Sequence, residues 1–132
     1  MSSENVDLVR RIYEVGRCGE AGALMELMDP EIEIHEAESM PYRGIYRGHA
    51  GVGELFQLIN SLLLDFLVTP EAFFDGGDRV AALIRLTARA RQTGKPLDMK
   101  VMELWTLRNG KALVIQPFYW DTAEVSRIVL AI

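Results

Sequence analysis

Two glutamates fall where the sequence pattern otherwise puts apolar side chains. Glu103 lies in the middle of the run from Leu97 to Arg108, and Glu36 closes the alternating run that begins at Glu31. An ionised carboxylate among apolar neighbours loses its hydration, so its pKa rises or it finds a donor. Two such groups in one pocket could divide proton transfer between them. One takes a proton, while the other, held neutral, donates a hydrogen bond to a developing oxyanion. Other chemistries lack the residues. His35 and His49 are the only histidines, and their spacing with carboxylates matches no metal site. No nucleophile motif is present, and the glycines from Gly48 to Gly53 follow a loop, without the rest of a dinucleotide-binding fingerprint. Neither a metal nor a cofactor is expected.

The inward placement of Glu103 depends on two turns. Asn109-Gly110 between apolar runs marks a hairpin, because both residues tolerate the positive φ of a type I′ turn. Thr93-Gly94-Lys95-Pro96 is the second turn, so three antiparallel strands are expected over 79–91, 97–108 and 111–120. The first turn pairs Leu107 with Ala112, Trp105 with Val114, Glu103 with Gln116 and Val101 with Phe118. The second pairs Glu103 with Leu86, Trp105 with Ile84, Leu107 with Ala82 and Val101 with Ala88. Alternation then gives one face Val80, Ala82, Ile84, Leu86, Ala88, Met99, Val101, Trp105, Leu107, Val114, Phe118 and Trp120 around Glu103 and Gln116. Either Glu103 is satisfied by Gln116, by an edge or by solvent, or this face lines a cavity with Glu103 as its working group. Glu36 shares a side with Ile32 and Ile34. It is either a polar strand terminus or a pocket carboxylate, and His35 points away.

The remaining elements frame these strands. A helix is expected from about Ser3 to Gly16, capped by Ser2 or Ser3, and a shorter one from Glu20 to Met28, ended by Asp29-Pro30. Residues 37–48 read as a long loop, a candidate lid or rim, in which Tyr42 or Tyr46 either offers a phenol or packs beneath it. A third helix, His49 to Asp65, carries Val52, Leu55, Phe56, Ile59, Leu62 and Leu63 on one stripe. A strand from Phe66 to Phe74 follows, with Pro70 suited to an edge or bulge. Asp121 and Glu124 have the spacing of a capping box opening a last helix with Val125, Ile128, Val129 and Ile132 inward.

A chain of 132 residues, 49% hydrophobic and without low-complexity segments, makes one globular domain over 1–132. Its net charge of -5 argues against nucleic acid, and Arg85, Arg89 and Arg91 read as a solvated face or rim. Cys18 stands alone, so no intramolecular disulfide is expected. No leader pattern is visible at the N-terminus, and no apolar run approaches the roughly 18 residues that span a membrane. A cytoplasmic protein that does not engage membranes is the expectation.

Helix, helix, strand, loop, helix and four strands is the order of the NTF2-like cone. Asp29-Pro30-Glu31-Ile32, Tyr46-Arg47-Gly48-His49-Ala50-Gly51-Val52, Gly77-Asp78-Arg79-Val80, Thr93-Gly94-Lys95-Pro96 and Asn109-Gly110-Lys111 resemble motifs of SnoaL-like proteins, which group with polyketide cyclases and ketosteroid isomerases. The resemblance spans nearly the whole chain. It implies an α+β fold, a curved antiparallel (mixed) sheet wrapped around a pocket, with three N-terminal helices and a short C-terminal helix. The isomerase general base falls on Glu36 and the oxyanion-hole acid on Glu103. The oxyanion-hole tyrosine falls on Ile12, and Tyr13, one position on, is turned by about 100° on the helix. The cyclases keep an acid on the last strand, where Gln116 and Phe118 stand here.

The expected lining of the pocket is therefore Ile12, Tyr13, Tyr42, Tyr46, Phe56, Trp105, Gln116, Phe118 and Trp120, for an apolar small-molecule ligand bearing a carbonyl. The outward residues Met102, Leu104, Leu113, Ile115 and Tyr119 leave an apolar sheet face that either takes a second copy, as in a homodimer, or lies under the last helix. Two functional readings follow: a cofactor-independent isomerase or cyclase-type enzyme, or a non-catalytic dimeric ligand-binding or interaction module.

Overall fold

The computed structural model describes residues 3–130. Ser2, the Ser3 side chain and Ile132, to which capping and packing roles were assigned above, lie outside the described residues. In chain order the elements are α1 (Ser3–Arg17), α2 (Ala21–Glu26), β1 (Met28–Glu36), β2 (Gly44–Arg47), α3 (Gly48–Leu62), β3 (Leu63–Asp75), β4 (Arg79–Ala90), β5 (Pro96–Arg108), β6 (Lys111–Tyr119) and α4 (Thr122–Leu130). The strands form one curved, unclosed sheet in the order β2-β1-β6-β5-β4-β3. It is mixed, because β1 runs parallel to β6 while every other neighbouring pair is antiparallel.

Two expectations about the first half need correction. Only α1 and α2 precede the first strand, and α3 follows two strands. The segment read as one loop contains β2, which pairs with β1 through Ile34–Tyr46 and Glu36–Gly44. Four residues carry too short a pattern to show as a strand, and β2 exists because β1 supplies its ladder. Gly51 lets α3 lie against it, since a Cβ there would sit 2.9 Å from the Tyr46 carbonyl carbon.

The central hairpins differ from the expected register in two instructive ways. The β4–β5 connection closes with Gly94 N–H donating to the Ala90 carbonyl at 2.7 Å and Ala90 N–H to that of Lys95 at 2.8 Å. This longer turn pairs Glu103 with Ala82 and Trp105 with Val80, four positions from the expected register. An even slip keeps every side chain on its face, so the burial of Val80, Ala82, Ile84, Leu86, Val101 and Trp105 is unaffected.

The β5–β6 turn has the expected positive φ at Asn109 (53°) and Gly110 (73°), and Leu107 pairs with Ala112. Leu113 is then extra. Thr106 faces Val114, Trp105 faces Ile115, Glu103 faces Pro117 and Val101 faces Tyr119. A one-residue bulge turns the rest of the strand over. Ile115, Pro117 and Tyr119 therefore come inward, while Val114, Gln116 and Phe118 go outward.

The core lies between the concave face and the helices. Val9 and Ile12 of α1, Val52, Leu55 and Ile59 of α3, and Val125, Ile128 and Val129 of α4 are all buried there. Asp121 caps α4 by accepting from Glu124 N–H at 3.1 Å. Ser126 and Thr122 tie that helix to Ser39 in the β1–β2 connection. No helix among the described residues is long and apolar enough to cross a membrane.

Candidate active site

Strand register brings the two glutamates to one place. In the parallel β1–β6 pair Ile34 is level with Ile115, so two residues on Glu36 is level with Pro117. Pro117 in turn faces Glu103 across the antiparallel pair. The two carboxyls thus come from the strands on either side of β6, on the same concave face, with backbones roughly 10 Å apart. A proline in a central strand needs an explanation, because it removes a ladder donor. Trp120 N–H donates to the Lys100 carbonyl on β5, so by alternation the Pro117 nitrogen faces β1. The β1–β6 pairing ends before it, at Ile34–Ile115. The missing N–H costs no rung.

Glu103 is well served. The Tyr13 hydroxyl donates to its Oε1 at 2.6 Å, and Trp105 Nε1–H donates to the Tyr13 oxygen at 3.0 Å. Tyr13 is held by rings on two sides, Trp105 edge-on at 5.4 Å and Phe73 of β3 at 6.1 Å, with the Arg10 guanidinium over Phe73. Burial holds the Glu103 carboxyl above its ordinary value, and the Tyr13 bond offsets part of that rise. Burial first, then the charge of Glu103, drives the Tyr13 phenol far above its ordinary range, so it stays a donor.

Glu36 is placed differently. It is 9% exposed, and its Oε1 is buried with no hydrogen-bond partner among the described residues. Burial, then the nearby charge of Glu103, pushes its pKa up to about 8, against a downward pull from the Tyr119 hydroxyl. That hydroxyl makes its hydrogen bond with the Tyr42 hydroxyl, at 3.1 Å. Tyr42 is fully buried, and burial raises both phenols well above their ordinary range. Tyr46 is spent on the backbone, donating to the carbonyls of Tyr42 and Arg43.

The remaining expected lining residues separate into two groups. Tyr13, Tyr42 and Trp105 stand around the carboxyls, and Ile12 is core, with Tyr13 reaching the acid from the neighbouring helical position. Phe56 is 38% exposed on α3. Gln116 and Phe118 are on the convex side because of the bulge, and Trp120, 85% exposed, is beyond the end of β6. Trp120 stands at an open groove of about 820 Å³ between the start of β5 and α4, with Leu97, Met99 and Ile128, and neither glutamate lines it. Sequence reasoning missed Tyr119, Pro117 and Phe73. The available signal was Pro117, since a proline inside a central strand indicates a bulge or an interrupted ladder. Among the described residues no group of three metal-ligating side chains comes together.

Comparison with known proteins agrees with this architecture. The family model of the SnoaL-like domain matches residues 9–115. No curated protein matches the chain. Among solved structures, an NTF2-like protein of unknown function from Burkholderia pseudomallei is 23% identical with a TM-score of 0.88, covering 96% of this chain and 97% of its own. TerC, co-crystallised with polyporic acid, is 23% identical with a TM-score of 0.87 over 96% and 98%. A proposed SnoaL-like polyketide cyclase from Jannaschia is 20% identical with a TM-score of 0.85 over 99% and 94%.

Proposed function

We propose, from the premise that this chain belongs to the SnoaL-like family, that it is an enzyme moving a proton between carbon and oxygen of an apolar carbonyl compound. The family leaves the reaction open, because one fold hosts many activities. The observation that carries the reading is the unequal treatment of two carboxyls on one face. Glu103 has a short donor to hold its charge, and Glu36 has an unpartnered buried oxygen. A pair whose surroundings push the two titrations apart divides into acid and base.

The resemblance assigns the base to Glu36, and the hydrogen bonding favours the reverse. Glu36, pushed up to about 8, keeps its proton near neutral pH. Glu103, raised by burial but given a short donor by Tyr13 with Trp105 behind it, is the carboxyl better equipped to carry the charge. Glu103 would take the proton α to the carbonyl while Glu36 gives its own to the carbonyl oxygen, forming an enol. Return of the first proton at another carbon, and of the second to Glu36, completes an isomerisation with no net change in the pair. A pair carrying one negative charge disfavours anionic ligands. The polyketide-cyclase-like relative on this fold makes neutral, polyketide-like ketones with exchangeable α-protons natural first ligands.

The test is proton exchange at the α-carbon of such ketones, in the native protein and in Glu103→Gln and Glu36→Gln. Exchange that both substitutions abolish supports the enzyme. Ligand binding without exchange in any variant sinks it and favours a binding module.

The same reading includes a second copy on the convex face. There Phe74, Ala81, Leu104 and Gln116 form one rung, and Ala72, Leu83, Met102 and Phe118 the next, with Phe74 and Phe118 each 52% exposed. Sedimentation equilibrium should give a dimer that Phe118→Glu dissociates, and a native monomer ends this part.

A further inference from the structure

Resting on that reading of the carboxyl pair, we propose that Tyr42 and Tyr119 form a relay that supplies Glu36 with a hydrogen bond whenever it carries the charge. Both carboxyls exchange states during the proposed turnover. When Glu103 accepts a proton, Glu36 has given its own away and is left as a buried anion. Such an anion needs a donor at once, because burying an unpaired charge costs far more than burying a neutral acid. On the Glu103 side the donor is visible in place, with Trp105 behind Tyr13. On the Glu36 side the same two-member arrangement is present one step earlier in its action.

The hydroxyls of Tyr42 and Tyr119 face each other at 3.1 Å and bring two protons to one shared bond. If Tyr42 donates to Tyr119, the Tyr119 proton is free. It lies on the inward face of β6, two residues from Pro117 and therefore beside Glu36. The Glu36 Oε1 is the buried acceptor in this neighbourhood that has no partner. Tyr46 cannot compete for Tyr42, since its hydroxyl goes to backbone carbonyls. Tyr119 already draws the Glu36 titration downward, opposing burial and Glu103. The groups that face Glu36 are accounted for: Glu103 on β5, Tyr119 on β6, Tyr42 in the connection after β1 and Tyr46 on β2, while His35 turns away to Glu33 at 2.9 Å. Tyr119 is thus a positioning residue that keeps the Glu36 proton exchangeable near neutral pH.

The experiment is a carbon-13 titration of the Glu36 carboxyl in the native protein, in Tyr119→Phe, in Tyr42→Phe and in the double variant. Tyr119→Phe should raise the midpoint by about half a unit or more, a roughly threefold weaker acid, and Tyr42→Phe should raise it less. The double variant removes both hydroxyls together, leaves no orphaned phenol and should match Tyr119→Phe. A midpoint unmoved or lowered in the double variant, with native amide shifts retained, overturns the relay and leaves Tyr119 as packing. The titration needs no substrate. A native protein that exchanges no ketone proton therefore sinks the functional reading alone, and an unmoved midpoint beside intact exchange sinks the relay alone.

Discussion

The two glutamates occupy the same face on either side of one residue of β6, yet they are treated in opposite ways. Glu103 comes from the middle of a long central strand, under α1, and meets a fixed phenol at 2.6 Å. Glu36 comes from the last residue of β1, where the ladder to β6 has stopped, and its Oε1 has no hydrogen-bond partner among the described residues. Chemically the side chains are identical, so the difference lies in their partners. A buried carboxylate with a short donor can hold charge, and one without it holds a proton. In the proposed reaction two copies of one acid would serve as a base and an acid because one strand continues and the other ends.

The most direct way to break this contrast is to remove the acids singly. Glu103→Gln should cost about 10³-fold or more in ketone proton exchange and Glu36→Gln about 10²-fold, since the first removes the base and the second only the donor to oxygen. Equal losses, or a larger loss at Glu36, would return the base to Glu36.

Stability against pH tests the same difference with no substrate. The folded pKa of Glu36, about 8, exceeds its ordinary value of 4.5, so between those values the folded state binds more protons than the unfolded state. Stability should therefore fall as pH rises from about 4.5 to about 8, by a few kcal/mol at about 1.4 kcal/mol per unit. Urea unfolding should show that slope in the native protein and a flatter profile in Glu36→Gln. A native profile already flat across this window would contradict the buried, unpartnered acid.

Tyr13→Phe sharpens the comparison by equalising the two sites. Without its donor Glu103 should hold its proton to higher pH, and its charge should press less on Glu36, whose carbon-13 midpoint should then fall. Exchange should drop about 10- to 100-fold, the usual range for losing one donor to a charge. A Glu36 midpoint that rises instead would mean the two carboxyls are not coupled. The smallest effect on exchange is expected of Trp105→Phe, which keeps an aromatic ring against Tyr13 while removing the donor behind it and some buried volume. It should cost about 2 kcal/mol of unfolding free energy and less than tenfold in exchange.

Much of this arrangement is legible in the chain. Alternation in 79–90 and 97–108 marks two strands and their inward faces, and Asn109-Gly110 marks the turn that follows. Glu103 and Glu36 stand out because each interrupts an apolar pattern. The face of β6 beyond Leu113 is not legible, since the residues from Ala112 to Ile115 are apolar on both sides and fix no phase. An unbroken register counted from the Asn109-Gly110 turn puts Gln116 beside Glu103, and with the bulge Pro117 stands there instead. Tyr13 is a similar case. Its helical position turns it away from the position of Ile12, and only the packing of its ring between Trp105 and Phe73 brings its oxygen to the acid.

The amino-acid sequence by itself determined the elements other than β2, the inward phase of β4 and β5 and the presence of two misplaced acids, because local turn chemistry and side-chain alternation act over a few neighbouring residues. Which acid has a donor was decided by the tertiary structure alone. One extra residue in β6 moves Tyr119 inward, the end of the β1–β6 ladder falls just before Glu36, and a helix ninety residues earlier delivers Tyr13 to Glu103. Hydrogen bonds between residues so far apart in the chain depend on distances that only the folded sheet sets.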